Sequence, residues 1–354
     1  MQQVDERIDA WIRGVATPGM AYVHFDGTKV IIERYAGLAD IPTQRPVDAR
    51  TSFHGFSVTK TLTSLVVVQL AQAGRVDLDA PVRAYLPTMP YAGDISVRHL
   101  LTHTGGLPNP LPLEWVHSPA DDGSFDSDGF FAAVFSKHAK VRSAPGERFA
   151  YSNLGYVLLG QLIERVTGSS FKDVIRHAVL RPAGITEREL GFTWPADNMH
   201  ATGYLRAPSL LSLLLPFIFN TRRHLGVRTG RWRGFKPFLL NGAAYGGSLG
   251  SAVGYRKYLQ ALLADGGLVA PTWREQLFTE GITTSGKRTG MAMGWFTGSL
   301  NAHPFVSHAG GGGGYYAEIR LYPKLGRGSV ALFNRTGLRD ERLLDQLDRH
   351  LVPR

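Results

Sequence analysis

No cysteine occurs in the 354 residues, so thiol nucleophiles, CxxC redox pairs and thiolate metal sites are excluded. Chemistry must come from Ser, His, Lys, Tyr or carboxylates. Without disulfides the chain suits reducing or oxidising surroundings equally, so the compartment stays open. Long apolar runs are missing too. LLSLLLPFIF (Leu210 to Phe219) falls far short of the roughly 20 residues of a spanning helix and is broken by Pro216. The N-terminal MQQVDERIDAWIRG has no apolar core, so no secretion signal is expected in the chain as written, and the expected location is cytoplasmic. Acidic residues are absent from Asn198 to Ala264. Arg206, Arg222, Arg223, Arg228, Arg231, Arg233, Lys236, Arg256 and Lys257 there supply +9 of the formal net charge of +10. An apolar run beside a basic one suits an anionic membrane surface, a greasy pocket wall, or a surface insertion packed on its own body. Peripheral contact with an anionic membrane through residues 206–237 is therefore one expectation. Nucleic acid is not expected as a partner, because no binding motif or basic–aromatic helix accompanies the charge.

What is present specifies a folded protein with a sizeable core: 44% of residues are hydrophobic and 19% charged, which excludes a disordered chain. AYVHF and KVIIERYAG flank Asp26-Gly27 as a hairpin. From Ser57, apolar residues at Leu62, Leu65, Val66, Leu70 and Ala73 follow helical spacing up to Gly74, predicting a largely buried helix. Between Leu86 and Gly191, Pro and Gly punctuate helical segments, among them Asn153 to Thr167 and Ser170 to Leu180. Ser251 to Ala264 reads as a further helix. Strands are expected at Gly290 to Ser299, Pro304 to Ala309, Tyr315 to Tyr322 and Gly328 to Asn334, then a terminal helix from Asp340 to His350. Strands at both ends and helices between them predict an α+β fold. Its mixed, mostly antiparallel sheet is built from both chain ends (1–80 and 250–354), with a helical lobe at 81–200 and the basic, apolar insertion at 201–249 near the active-site rim. The last four residues, Leu351 to Arg354, match a remnant of tag removal and are set aside from this expectation.

Three short motifs carry candidate chemistry. Ser57-Val58-Thr59-Lys60 places a lysine three residues after a serine, on one helix face, where a buried amine of lowered proton affinity can take the hydroxyl proton. Alone this is weak, since Ser169-Ser170-Phe171-Lys172 has the same spacing and reads better as a helix cap. Tyr151-Ser152-Asn153 is the only YxN; a phenol among cations can serve as base and the amide can hold an acyl oxygen. A core Tyr and an Asn cap is the plainer alternative. His308-Ala309-Gly310 shares its HxG pattern with His103 and His224, but only His308 precedes a glycine run and a strand, which lets a backbone N–H approach substrate. A competing reading is Gly246-Gly247-Ser248-Leu249-Gly250 with Asp265 and His303 or His308 as a hydrolase triad, although NGAAYGG makes a poor preceding strand. His99 and His103 are one helical turn apart without a third ligand, so neither metal nor cofactor is expected.

In this order, with LTHTGGLP (Leu101 to Pro108) between the first two, the motifs resemble the serine β-lactamase and penicillin-binding-protein superfamily. The YxN form is most similar to class C β-lactamases, family VIII carboxylesterases and related D-amino-acid peptidases. The resemblance runs from about Gly19 to Gly337 and leaves out only the basic insertion. It implies Ser57 as the acylated nucleophile, Lys60 and Tyr151 as shared general base, Asn153 as a substrate-binding residue, and the N–H groups of Ser57 and Gly311 as oxyanion hole beside His308 and Gly310. Where β-lactamases have Lys-Thr-Gly, this chain has His308-Ala309-Gly310, losing a cation and a hydroxyl that bind a substrate carboxylate. Charge-assisted hydrogen bonds of that kind are worth about 1.5–3 kcal/mol each. A neutral histidine can still offer one hydrogen bond to an acyl oxygen. The expected substrate is thus a small neutral ester, with β-lactamase, D-amino-acid peptidase or amidase activity as the alternative and a non-catalytic scaffold as the remote one.

Overall fold

The computed structural model describes residues 1–14, 16–209, 220–336 and 342–353. Its centre is a seven-stranded antiparallel sheet in which the strands of the two chain ends meet side by side. β1 (Gly19–Asp26) and β2 (Lys29–Asp40), joined through the left-handed Gly27, with β3 (Arg45–Pro46) outside them, form one side. β12 (Phe296–Leu300), β13 (His303–Gly312), β14 (Tyr315–Tyr322) and β15 (Arg327–Phe333) form the other. The order is β12-β13-β14-β15-β1-β2-β3, with β1 against β15 in the register Tyr22↔Ala331.

Alternate residues of β1 serve two layers. Met20 and Tyr22 pack with Val4 and Ile8 of α1 (Gln2–Arg13) and with Leu343, Leu344 and Leu347 near the C-terminus, whereas Ala21, Val23 and Phe25 join the main core. Both faces are covered, so Met20 to Phe25 are buried on both sides, with His24 the one polar side chain among them. The main core is centred on α2 (Thr59–Gln72), in which twelve of fourteen residues are buried. Burial on every side explains why its apolar residues do not keep to one stripe. α2 packs on α5 (Asn153–Thr167), α8 (Ala243–Gly246) and α10 (Pro271–Phe278). Two expected elements are shorter than read. The strand from Gly290 starts only at Phe296, because Gly290 and Gly294 take left-handed φ values of 72° and 78° and turn the chain. The terminal helix contracts to α11 (Asp345–Asp348), since the Asp348 carboxylate is drawn onto the sheet by Tyr22, Tyr322 and Ser329; residues 340 and 341 lie outside the described residues. Setting aside the last four residues is also corrected: Val352 is buried with Phe305 and Tyr322.

The stretch 201–249 divides in two. β7 (Tyr204–Arg206), β9 (Trp232–Phe235) and β8 (Leu225–Thr229) make a separate three-stranded sheet, with α7 (Thr221–His224) leading into β8. The run Leu210 to Phe219 lies outside the described residues. From Leu239 on, the chain also enters the core: α8 packs on α2 and α5, and β11 (Leu249–Ser251) pairs with β4 (Ser52–His54). No helix among the described residues is long and apolar enough to cross a membrane.

Candidate active site

β4 leads directly into the turn that presents Ser57. Phe56 sits there at φ 46°, a left-handed conformation that a bulky residue adopts only when its surroundings impose it. One turn of 3-10 helix (Phe56–Val58) then feeds α2, so Ser57 and Lys60 share a face at the start of the helix. Lys60 Nζ lies 3.1 Å from Ser57 Oγ, and it also donates to Asn153 Oδ1 at 2.9 Å and to the Tyr245 carbonyl at 2.6 Å. Complete burial holds its pKa well below the ordinary lysine value. A neutral amine has two hydrogens, and two acceptors claim both. Its lone pair is then left for the Ser57 hydroxyl, which is the arrangement a general base requires.

Asn153 and Tyr151 arrive from the start of α5. Ser152 caps that helix, accepting from Gly155 N and donating to the Pro108 carbonyl, while Asn109 Oδ1 accepts from Asn153 N. These bonds tie the second motif to the LTHTGGLP segment. The Tyr151 ring centroid is 5.0 Å from Lys60 Nζ, and the His103 ring packs on it at 4.2 Å. Ser152 N donates to His103 Nδ1 at 3.1 Å, and burial, with Lys60 and His308 nearby, keeps His103 neutral.

The third motif lies on β13. A side chain at Gly310 would put its Cβ 2.3 Å from Gly55 O and 2.6 Å from Ser57 N, so only glycine lets the strand press against the nucleophile turn. That contact sets Ser57 N–H beside the Gly310–Gly311 peptide. His308 is 1% exposed, and burial reinforced by Lys60 lowers its pKa to about 3. Its neutrality agrees with the sequence reading, but its hydrogen-bonding role differs. Nδ1 lies 2.9 Å from the Ala309 carbonyl and must carry the proton, which leaves Nε2 as an acceptor rather than a donor to an acyl oxygen.

An open pocket of about 330 Å³ meets this cluster at Ser57, Asn153 and Gly311. Leu111, Leu113, Val116, Phe235, Phe238 and Leu240 form much of its wall, and none of the described residues lining it is Asp, Glu, Lys or Arg. Lys60, Tyr151, His308 and Gly310 do not line it; they stand around Ser57 rather than along the substrate wall. Three residues carry site geometry that the sequence did not mark: Tyr245 through its carbonyl, Asn109 through its amide and His103 through its ring. Tyr245 lies inside NGAAYGG, and a carbonyl has no residue signature. His103 was noted as a look-alike of His308 and as a one-turn neighbour of His99, but not as a support for Tyr151.

The competing serines have structural roles. Ser248 is fully buried and bonded to Thr59 Oγ1 at 2.7 Å and Tyr255 OH at 2.8 Å, while its carbonyl accepts from Gly55 N. Asp265, its supposed triad partner, is exposed and paired with Arg274. Ser170 caps the helix Phe171–Ile175, and Lys172 pairs with Asp122 at 2.8 Å. His99 closes a capping box with Ser96, and no metal-binding cluster occurs among the described residues.

Comparison with known proteins gives a consistent picture. The family model described as Beta-lactamase matches residues 7–352. The chain is 25% identical over 302 residues to Penicillin-binding protein 4* of Bacillus subtilis (strain 168), covering 84% of this chain and 64% of that protein. It is 35% identical over 191 residues to Esterase EstB of Burkholderia gladioli, covering 50% of this chain and 47% of that protein. The chain thus spans about half to under two thirds of these relatives' length. Among solved structures, the octameric penicillin-binding protein homologue from Pyrococcus abyssi superposes with a TM-score of 0.78 at 24% identity, covering 99% of this chain and 76% of that one. A class C beta-lactamase superposes at 0.75 with 20% identity, covering 99% and 95%. Those two likenesses establish the α+β fold.

Proposed function

The chain belongs to the β-lactamase family of serine hydrolases, and from that membership we propose that it is a carboxylesterase acting on neutral esters with short-to-medium apolar acyl groups through an acyl-enzyme on Ser57. The observation that carries this reading is the pocket wall at Ser57. Its described residues are mostly apolar and include no Asp, Glu, Lys or Arg, and the third motif holds a neutral His308 where a cation would be needed for a carboxylate. The likeness to Esterase EstB supports the same substrate class.

Lys60 Nζ takes the Ser57 proton as Oγ bonds to the ester carbon, and the oxyanion is held by the N–H groups of Ser57 and Gly311. The C–O bond to the alcohol breaks, and the proton passes from Lys60 to the departing alkoxide, aided by Tyr151. Water then repeats the sequence: it yields its proton to the same base, attacks the acyl carbon and releases the acid and Ser57. Asn153 positions the acyl oxygen while fixing one hydrogen of Lys60.

Hydrolysis of p-nitrophenyl esters, a cephalosporin and D-amino-acid amides by Ser57→Ala, Ser248→Ala and Ser169→Ala proteins tests the proposal. Ser57→Ala should be inactive. Ser169→Ala should match the parent, and Ser248→Ala should keep turnover while losing about 1–3 kcal/mol of stability from its broken buried hydrogen bonds. Faster turnover of the cephalosporin than of any ester would replace the carboxylesterase reading with a β-lactamase one.

A further inference from the structure

The small sheet β7–β9 does two things at once. Leu205, Phe235 and, just before β8, His224 line the pocket that opens on Ser57. The same element exposes Arg206, Arg222, Arg223, Arg228, Arg231 and Lys236 to solvent. Some arginines elsewhere have acidic partners, as Arg34, Arg98, Arg274 and Arg327 do. None of these six cations forms an ion pair among the described residues. What they bond is backbone: Arg228 donates to the Gly230 and Ala207 carbonyls and Lys236 to that of Arg222, which pins cations to the sheet without neutralising them. Glu114, near His224, offsets only part of the charge.

Among the described residues, two of the five exposed large apolar side chains lie on this sheet or on the rim of the adjoining pocket. Val227 on β8 is 88% exposed among these arginines, and Leu111 on the pocket rim is 79% exposed. Cations that attract anionic headgroups, projecting apolar side chains and an adjoining apolar pocket together make up an interfacial binding face. A surface for single-stranded nucleic acid would carry aromatic side chains for stacking. Trp232, in the middle of this sheet, is buried.

We propose that the β7–β9 face docks on a lipid surface bearing anionic headgroups, and that the esters reaching Ser57 are amphiphiles taken from that surface, their acyl chain entering the apolar pocket. The second clause rests on the carboxylesterase reading; the first does not.

Sedimentation of the Ser57→Ala protein with phosphatidylcholine vesicles, with and without phosphatidylglycerol, tests docking in the absence of turnover. Binding is expected only with phosphatidylglycerol, and it should be lost in molar salt, where screening shortens to about 3 Å. Each basic residue at an anionic surface is worth about fivefold in partition, so Arg222→Glu/Arg223→Glu/Arg231→Glu should weaken binding at least a hundredfold. In the active protein the same triple change should leave hydrolysis of a soluble p-nitrophenyl ester unaltered, which also shows that it folds. Arg222→Gln/Arg223→Gln/Arg231→Gln provides a milder variant with the same expected direction. Equal recovery in the supernatant with both vesicle types overturns the docking surface, as does equal binding to neutral vesicles. The substrate clause is read separately, as the rate on a long-chain ester carried in phosphatidylglycerol vesicles against the rate in neutral micelles. Binding without a rate gain overturns that clause alone. Loss of all ester hydrolysis in the parent protein overturns the carboxylesterase reading and leaves the sedimentation result standing.

Discussion

Lys60 shows how one residue's environment decides its chemistry. In water its amine would be a cation, unable to accept a proton. Inside the protein it has no carboxylate partner among its bonds, only Asn153, the Tyr245 carbonyl and Ser57, so burial favours the neutral form. Lys60→Arg separates a base from a mere cation, because arginine keeps the charge and cannot give up its proton. If Lys60 is the base, the variant should lose on the order of a hundredfold or more in acylation rate, the scale of one positioned proton-transfer group. Retained rate with Arg would mean that the charge alone matters. Lys60→Ala combined with Tyr151→Phe should cost little more than the worse single change if the two act as one unit, and full additivity in kcat/KM would separate them. The Ser57–Lys60 pair was legible in sequence because three-residue spacing on a helix is local geometry. The Tyr245 carbonyl was not, because it is backbone brought 185 residues along the chain to the same nitrogen.

At the scale of the element, the site is the meeting of a turn, a helix start and a strand. β13 must approach the Phe56–Ser57 turn closely enough to set two N–H groups side by side, and the glycine run permits it. In the sequence all five glycines from Gly310 to Gly314 look alike. The structure gives them separate duties. A Cβ at Gly310 collides with Gly55 and Ser57, whereas one at Gly311 meets nothing closer than 3.6 Å. Gly310→Ala should therefore push the strand off the turn and cost about 10²–10³ in kcat, the usual loss for a missing oxyanion donor. Gly311→Ala should retain most activity although it lies nearer the substrate. Equal kinetics of the two variants would show that the close approach is not what builds the oxyanion hole. Element boundaries followed similar logic. Tyr315–Tyr322 and Asn153–Thr167 were readable because strong local patterns end at turns and caps, while α11 was overestimated because the buried carboxylate of Asp348 overrides the helical pattern.

For the whole molecule, packing helices on both faces of the sheet leaves several histidines without water. His54 lies against Phe238 with ring centroids 4.4 Å apart, and burial lowers its pKa to about 3, the same value as His308. His24, His103 and His200 are shifted in the same direction, chiefly by burial. In the unfolded chain each imidazole titrates near its ordinary value of about 6.5. Below that pH the unfolded state therefore binds more protons than the native one, so stability falls as pH falls, and the loss continues until the native-state pKa is reached. His54 and His308 alone impose a slope of about 2.7 kcal/mol per pH unit across the window from 6.5 down to about 3. At pH 5 that amounts to about 4 kcal/mol, a large share of the 5–15 kcal/mol that typically holds a fold together. Urea midpoints measured from pH 7.5 to pH 5 should drop steeply, and His54→Phe, which keeps a ring on Phe238 and removes the proton site, should flatten the slope by about 1.4 kcal/mol per unit. An unchanged slope in that variant would mean that His54 titrates alike in both states and that its burial carries no acid sensitivity. The esterase assay should be run above this window, because a fall in rate below pH 6.5 would mix loss of the fold with effects on catalysis.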